Sequence, residues 1–320
     1  MSESAKVATP PLDPEKFQDR NLTAAGEPRA EVAMQELRTL WFNTGTLCNL
    51  TCTNCYIESS PTNDRLVYLT AAEVAGYLDE IARDRLATRE VGFTGGEPFM
   101  NPDLVAMLED VLGRGFKALV LTNAMRPMMK CADALLDLQD RYGDDLVIRV
   151  SVDHYTELLH QLERGPRSWQ PTIDGLTWLS RNGFHLRVAG RMLWNESEAD
   201  MRKGFGRLFA AHKIRIDASD PVGLLLLPEM DETIDVPEIT ERCWGILDVD
   251  PDDMMCATSR MVVKHKGQDH PAVMPCTLLP YDQNFQLGRT LADSFGPVKL
   301  NHPHCSRFCV LGGGTCSNAD

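Results

Sequence analysis

"LTAAEVAGYLDEIARDRLATREVGFT", residues 69–94, sets a helix directly ahead of a β-rich run. Thr70 and Glu73 form the T-x-x-E pattern of a capping box, in which each residue satisfies a backbone N–H that the first helical turn leaves without a partner. Val74, Leu78 and Ile81 recur at helical spacing, and "REVGFT" then reads as a strand. A second β-rich run, "LRTLWFNTG" at 37–45, lies upstream. Strand, helix and strand in this order predict a βαβ unit, because parallel strands need a crossover between them.

The rhythm continues downstream. Asn101 reads as the cap of a helix with Pro102 in its first turn and Leu104, Leu108, Val111 and Leu112 on one face, followed by "KALVLT" as the third strand. "LVIRVSV", "FHLRVAGRML" and "IRIDA" predict the fourth to sixth strands, with helices near Ile173 to Leu179 and Met201 to Phe209. Six units specify an α/β fold, a partial (βα)6 TIM-like barrel over residues 36–217. Sites in such folds gather at the carboxyl ends of the strands. Here those ends carry three cysteines, then "GGEP", "NAMRP" and "DHY".

After residue 217 the rhythm stops, and "DPVGLLLLPEMDETIDVPEI" reads as a connection without a period. Six of the ten cysteines follow it, in a loop-rich stretch of the kind that needs metal or crosslinks to hold together. Residues 218–320 are therefore expected as a small cysteine-rich module. Residues 1–35, with scattered Pro, Ala and charge, are expected as a flexible arm.

The formal charge of -14, with no clustered Lys and Arg, argues against nucleic-acid binding. No apolar run reaches the roughly 18–20 residues of a membrane span, and "MSESAKVATPPLDPEKF" lacks the apolar stretch of a secretory signal. The expected location is cytoplasmic. In a reducing compartment ten cysteines serve as metal ligands and buried thiols rather than as disulfides.

Cys48, Cys52 and Cys55, in "LCNLTCTNC", have no fourth Cys or His nearby. A structural zinc site closes with four protein ligands, and an ordinary [4Fe-4S] cluster uses four thiolates. Three soft ligands leave one position for a ligand from outside the protein.

"CNLTCTNCY", Cys48 to Tyr56, resembles the C-x-x-x-C-x-x-C-aromatic motif of the radical S-adenosylmethionine (radical SAM) enzymes, a resemblance that extends over residues 38–217. It implies a [4Fe-4S] cluster on Cys48, Cys52 and Cys55 whose open iron is chelated by S-adenosylmethionine. It also implies an electron donor such as flavodoxin or ferredoxin, reductive cleavage to methionine and a 5'-deoxyadenosyl radical, and hydrogen abstraction from a substrate. "FTGGEP", Phe93 to Pro98, is by itself a tight turn that adjacent glycines permit. Within the resemblance, Gly95, Gly96 and Glu97 hold the methionine amino group. Ser151 and Asp153 in "RVSVDHY" are candidates for ribose or carboxylate contacts, or for caps of the next helix. Arg191 is a candidate partner of the methionine carboxylate, and Thr122 and Asn123 after the third strand are further candidates. "HQLERGPRSW" reads as a structural loop and Cys131 as a buried thiol on a barrel helix. His154, Tyr155 and Trp194 receive no role.

The last cysteines resemble the auxiliary iron-sulfur domains known as SPASM and, in a one-cluster form, twitch. The latter implies that Cys256 and Cys276 flank a hairpin around "KGQDHP", with Cys305 and Cys309 completing the ligand set and Cys316 able to replace either of these. Cys243 is left over. A zinc knob built from His304, Cys305, Cys309 and Cys316 is chemically equivalent.

Two functions follow. The first is a radical enzyme assisted by an auxiliary [4Fe-4S] cluster, giving net oxidation or bond formation on a small molecule or a peptide; the arm before residue 38, too short for a leader-peptide-binding domain, tilts toward a small molecule or a free-standing protein target. The second is a non-catalytic electron carrier or cluster-delivery protein, which leaves "GGEP" and the three-ligand site unexplained.

Overall fold

The structure, a computed structural model, describes residues 10–314. Its elements run β1 (Glu31–Val32), β2 (Thr39–Asn43), α1 (Ala71–Asp84), β3 (Glu90–Thr94), α2 (Leu104–Gly113), β4 (Lys117–Thr122), α3 (Arg126–Met129) and α4 (Ala132–Tyr142). They continue with β5 (Leu146–Ser151), α5 (Glu157–Arg164), α6 (Trp169–Arg181), β6 (His185–Arg191), α7 (Glu198–His212), β7 (Leu224–Leu227), α8 (Cys243–Leu247), α9 (Met255–Thr258), β8 (Ser259–Val263), β9 (Ala272–Met274) and β10 (Val298–Lys299).

One open sheet in the order β7-β6-β5-β4-β3-β2-β8-β9 organises the chain, parallel throughout except for the antiparallel pair β8 and β9. Its edge strands do not meet, so the sheet is a partial barrel. Alternate side chains leave opposite faces of a strand. Leu40 and Phe42 of β2 join the core beneath the helices, whereas Trp41 points to the other face and packs with Met261 and Met274 of the C-terminal strands. Gly92, paired with Trp41 across β2 and β3, leaves room for that ring: a Cβ there meets the indole at 2.3 Å.

The capping box at Thr70 and Glu73 is present, and α1 buries Val74, Tyr77, Leu78 and Ile81 before a left-handed cap at Arg85. Other expectations need correction. The cap of α2 is Asp103 rather than Asn101, whose carboxamide instead accepts from the Asp103 N–H and donates to Thr44 O and Leu69 O. "IRIDA" is not a strand: α7 ends in a left-handed cap at Lys213, and Ile214 tucks into the core as the chain turns. The sixth parallel strand is Leu224–Leu227, inside the stretch read as a connection, so the sheet runs past the boundary expected at residue 217. Cys131 is the half-buried N-cap of α4.

The expected arm is also different where it is described. Residues 11 and 29 bridge to 234 and 240, and β1 pairs with β10. Arg29, fully buried, donates to Glu238 at 2.5 Å and to Leu22 O at 2.7 Å, while Glu238 accepts from the N–H groups of Phe17 and Ala24. Irregular pairing of this kind leaves no hydrophobic period in the sequence. The hairpin expected between Cys256 and Cys276 is present as β8 and β9, with Met261 opposite Met274 and Val263 opposite Ala272.

Candidate active site at the carboxyl ends of the strands

The strand ends converge on one cavity of about 1100 Å³, counting its open mouth. Cys48, Cys52 and Cys55 line it from the loop after β2, and Thr94, Gly95 and Gly96 from the end of β3 and its turn. Thr122 and Asn123 reach it at the end of β4, Ser151 and Asp153 after β5, and Arg191 from β6. The sequence thus places its candidates on one wall system.

The glycine turn is built for close approach. Gly95 has φ +135, which L side chains rarely adopt, and a Cβ on Gly96 falls 2.2 Å from Leu47 O. Gly96 N donates to Gly45 O and Glu97 N to Leu47 O, so the turn is tied by backbone bonds to the entry of the cysteine loop. Glu97 lies beneath the wall rather than on it. It accepts from Thr122 Oγ1 at 2.8 Å, Asn123 N at 2.9 Å and Phe99 N at 3.2 Å. Burial pushes its carboxyl up to about 7, against the opposing pull of those hydrogen bonds.

The cysteine loop is held from its other side by α5, the stretch read as a structural loop. Glu163 accepts from Asn54 N at 2.9 Å and Asn54 Nδ2 at 2.7 Å, and Thr53 N donates to Glu163 O. Arg191 Nη1 donates to Asn54 O at 2.8 Å and Glu163 Oε1 at 3.1 Å, so the candidate carboxylate partner already grips a protein carboxylate. Arg164, next on the same turn, holds Asp153 through both carboxylate oxygens. Glu163 and Arg164 both line the cavity. Sequence reasoning missed them; the signal was a charged pair ending a short helix whose other residues are mostly apolar or uncharged. His154 and Tyr155, left without a role, turn away to Glu196.

Burial pushes the Cys48 thiol up to about 12 and the Cys52 thiol up to about 11. Amide N–H groups of Leu50 and Ser59 point at the sulfurs of Cys48 and Cys55, each at 3.4 Å. Three soft donors on one loop, supported by amide N–H groups and converging on one cavity, fit a thiolate-held iron-sulfur cluster.

The second cysteine set sits in the other core. Cys256, Cys276 and Cys305 are buried there, with Cys243 and Cys309 half-buried at its margin. Burial pushes the Cys305 thiol up, and its Cys276 and Cys256 neighbours push it further, so the three thiols lie within electrostatic reach of one another. Cys316 lies outside the described residues. His304 groups with His302 and Glu232, donor atoms within 4.8 Å of one another.

An open parallel α/β sheet with a three-thiol loop and a glycine turn at its strand ends defines the class of scaffold. The chain belongs to the radical SAM superfamily, whose family model matches residues 42–203. The antilisterial bacteriocin subtilosin biosynthesis protein AlbA of Bacillus subtilis (strain 168) is 31% identical over 143 residues, 44% of this chain and 30% of AlbA. A GTP 3',8-cyclase of Rhodococcus opacus (strain B4) is 35% identical over 113 residues, 33% of this chain and 32% of the cyclase. The chain thus spans about a third of the length of these curated relatives. Among solved structures, Streptococcus suis SuiB bound to S-adenosylmethionine superposes with a TM-score of 0.57 at 13% identity, covering 80% of this chain and 64% of SuiB. No helix among the described residues is long and apolar enough to cross a membrane.

Proposed function

We propose that the chain binds a [4Fe-4S] cluster on Cys48, Cys52 and Cys55 together with S-adenosylmethionine, and uses them to modify a peptide. When bound, this pair supplies one-electron reductive cleavage of the sulfonium and a radical that takes hydrogen from substrate. The observation that carries the reading is the meeting of the three thiols with the Gly95-Gly96 turn and with Thr122 and Asn123 in one cavity.

This chain's own residues do the positioning. Gly95 and Gly96 let the cofactor-side backbone come close, Glu97 fixes Thr122 and Asn123 from below, and Glu163 with Arg191 fixes the cysteine loop from the side. Asp153, held by Arg164, and Ser151 offer polar contacts for a ribose. The far wall is different in character. Ile57, Leu225, Leu227, Met230, Leu278 and Phe308 supply hydrocarbon surface from both the core and the C-terminal segment.

That wall favours a peptide side chain over a nucleotide, and two of the three cavity arginines, Arg164 and Arg191, are engaged by Asp153 and Glu163 rather than held ready for phosphate. A peptide also agrees with AlbA, a bacteriocin biosynthesis protein, and with SuiB, solved bound to precursor peptide SuiA. Cys256, Cys276 and Cys305, completed by Cys309 or Cys316, hold an auxiliary cluster that anchors substrate or accepts an electron. Flavodoxin or ferredoxin serves as donor.

The test is anaerobic reduction of the iron-loaded chain with S-adenosylmethionine and quantification of 5'-deoxyadenosine. Release that disappears in a Cys48→Ala, Cys52→Ala, Cys55→Ala variant supports the reading. A fully loaded chain that neither binds nor cleaves S-adenosylmethionine overturns it.

A further inference from the structure

Arg260, on β8 four residues after Cys256, is fully buried. Its guanidinium donates to four backbone carbonyls: Cys256 O at 2.6 Å, Ser259 O at 2.8 Å, Ser294 O at 2.9 Å and Gly296 O at 3.4 Å. These bonds engage four of the five N–H donors and leave the charge uncompensated. Among the described residues no carboxylate pairs with it, unlike Arg29, which has Glu238, and Arg164, which has Asp153. A buried charge without a counter-ion is costly, and arginine does not escape by losing its proton.

The groups of opposite sign available to it are thiolates. The guanidinium grips the carbonyl of Cys256 itself at 2.6 Å, and Cys256 shares its buried core with Cys276 and Cys305; as thiolates, Cys256 and Cys276 favour the arginine's charged form. Neutral thiols cannot balance it. A cluster held by these cysteines carries net negative charge in the core beside Arg260, and each becomes the other's counter-ion.

We infer that Arg260 is the built-in counter-charge of an iron-sulfur cluster held by Cys256, Cys276 and Cys305, and that it raises the reduction potential of that cluster. The inference rests on the auxiliary-cluster reading above. Reduction adds an electron to a group that is already anionic, so a fixed cation nearby favours the reduced form; net charge and its surroundings are among the levers that set such potentials. The carbonyl bonds hold the cation in place in both redox states.

The experiment compares Arg260→Gln with Arg260→Lys in the full chain carrying Ala at positions 48, 52 and 55, so that the auxiliary cluster titrates alone. Iron and sulfide are counted first, then the midpoint is read by redox titration with electron paramagnetic resonance. If the parent with Arg260 holds no iron, the cluster reading itself has failed, and this outcome is separate from the others. The expected result is an equilibrium constant for reduction at least tenfold lower in the Gln variant, about 59 mV for a one-electron couple, with the Lys variant close to the parent. Uptake of the cluster by the Lys variant but not the Gln variant also supports the charge requirement. An unchanged midpoint in the Gln variant overturns the proposal, as does loss of the cluster from both variants, which makes the carbonyl bonds rather than the charge the requirement.

Discussion

Arg164 Nε donates to Asp153 Oδ2 at 2.6 Å and Arg164 Nη2 to Asp153 Oδ1 at 3.0 Å, a two-pronged clasp between the last turn of α5 and the end of β5. Both side chains are largely buried, and both line the cavity together with Cys52. One contact therefore links the wall of the cavity, the helix that steadies the cysteine loop, and the thiols.

Breaking one side of this clasp strands the other charge. Asp153→Asn is expected to destabilise the chain by about 3–5 kcal/mol, the range for a buried pair with one partner removed. The double variant Asp153→Asn, Arg164→Met is expected to recover much of that loss, since no charge is left unpaired. Urea unfolding of the two singles and the double checks it; simple additivity would show that the two residues do not act as a pair.

Glu97 gives a pH signature. Its folded carboxyl sits at about 7, raised by burial above the usual 4.5. Folding therefore favours the protonated form: this contribution is fully present below pH 4.5 and is lost as pH rises through 7, in total of order 3 kcal/mol. Glu97→Gln is expected to flatten the unfolding free energy between pH 5 and 7.5 in the cofactor-free chain. The same variant has one acceptor oxygen where the carboxylate met Thr122, Asn123 and Phe99, so S-adenosylmethionine binding, followed by equilibrium dialysis, should weaken about tenfold.

The fold was legible where side chains repeat. Thr70, Val74, Leu78 and Ile81 announce α1 because capping and one-sided burial both leave periodic marks. The sixth strand was missed because Leu224–Leu227 is an unbroken apolar run without alternation, as strands of parallel sheets often are, while "IRIDA" alternates but follows a left-handed helix cap. Cys48, Gly95 and Asn123 were legible because they stand at strand ends. Glu163 and Arg164 were not: they come from the end of a crossover helix, and only the tertiary fold turns that end toward the cysteine loop. Arg29 with Glu238 is a long-range pair that no local pattern announces.

His160 on α5 has the opposite pH sign. It is fully buried, both ring nitrogens lack a hydrogen-bond partner among the described residues, and it packs edge-on against Trp169 at 5.3 Å. Burial lowers its pKa from 6.5 to about 4. The neutral ring is favoured by folding, so its contribution is present above pH 6.5 and is lost as pH falls through 4, about 3 kcal/mol at most. His160→Phe removes the unpartnered nitrogens and keeps the ring against Trp169. It is expected to raise stability at neutral pH by about 1 kcal/mol and to move the acid midpoint of unfolding lower, as circular dichroism against pH would show. An unchanged acid limb would assign that limb to other groups.

Gly96 tests whether the glycine turn is a contact or only a bend. Its φ is not left-handed, so backbone freedom is not what requires glycine there. What requires it is space: a Cβ meets Leu47 O at 2.2 Å, Leu47 C at 2.6 Å and Thr46 O at 2.8 Å, all backbone of the segment that leads into Cys48. No rotamer change relieves a clash with main chain. Gly96→Ala must therefore push the β3 turn away from that segment and break the Gly96 N to Gly45 O and Glu97 N to Leu47 O bonds, at a cost of about 2–4 kcal/mol. Because the displaced segment carries Cys48, the variant should also lose iron from the three-cysteine site while keeping iron at the C-terminal set. Iron counting alongside thermal unfolding separates the two effects. Loss of stability with full iron content would make the turn a folding element alone, and loss of about half the iron would tie it to the cysteine loop.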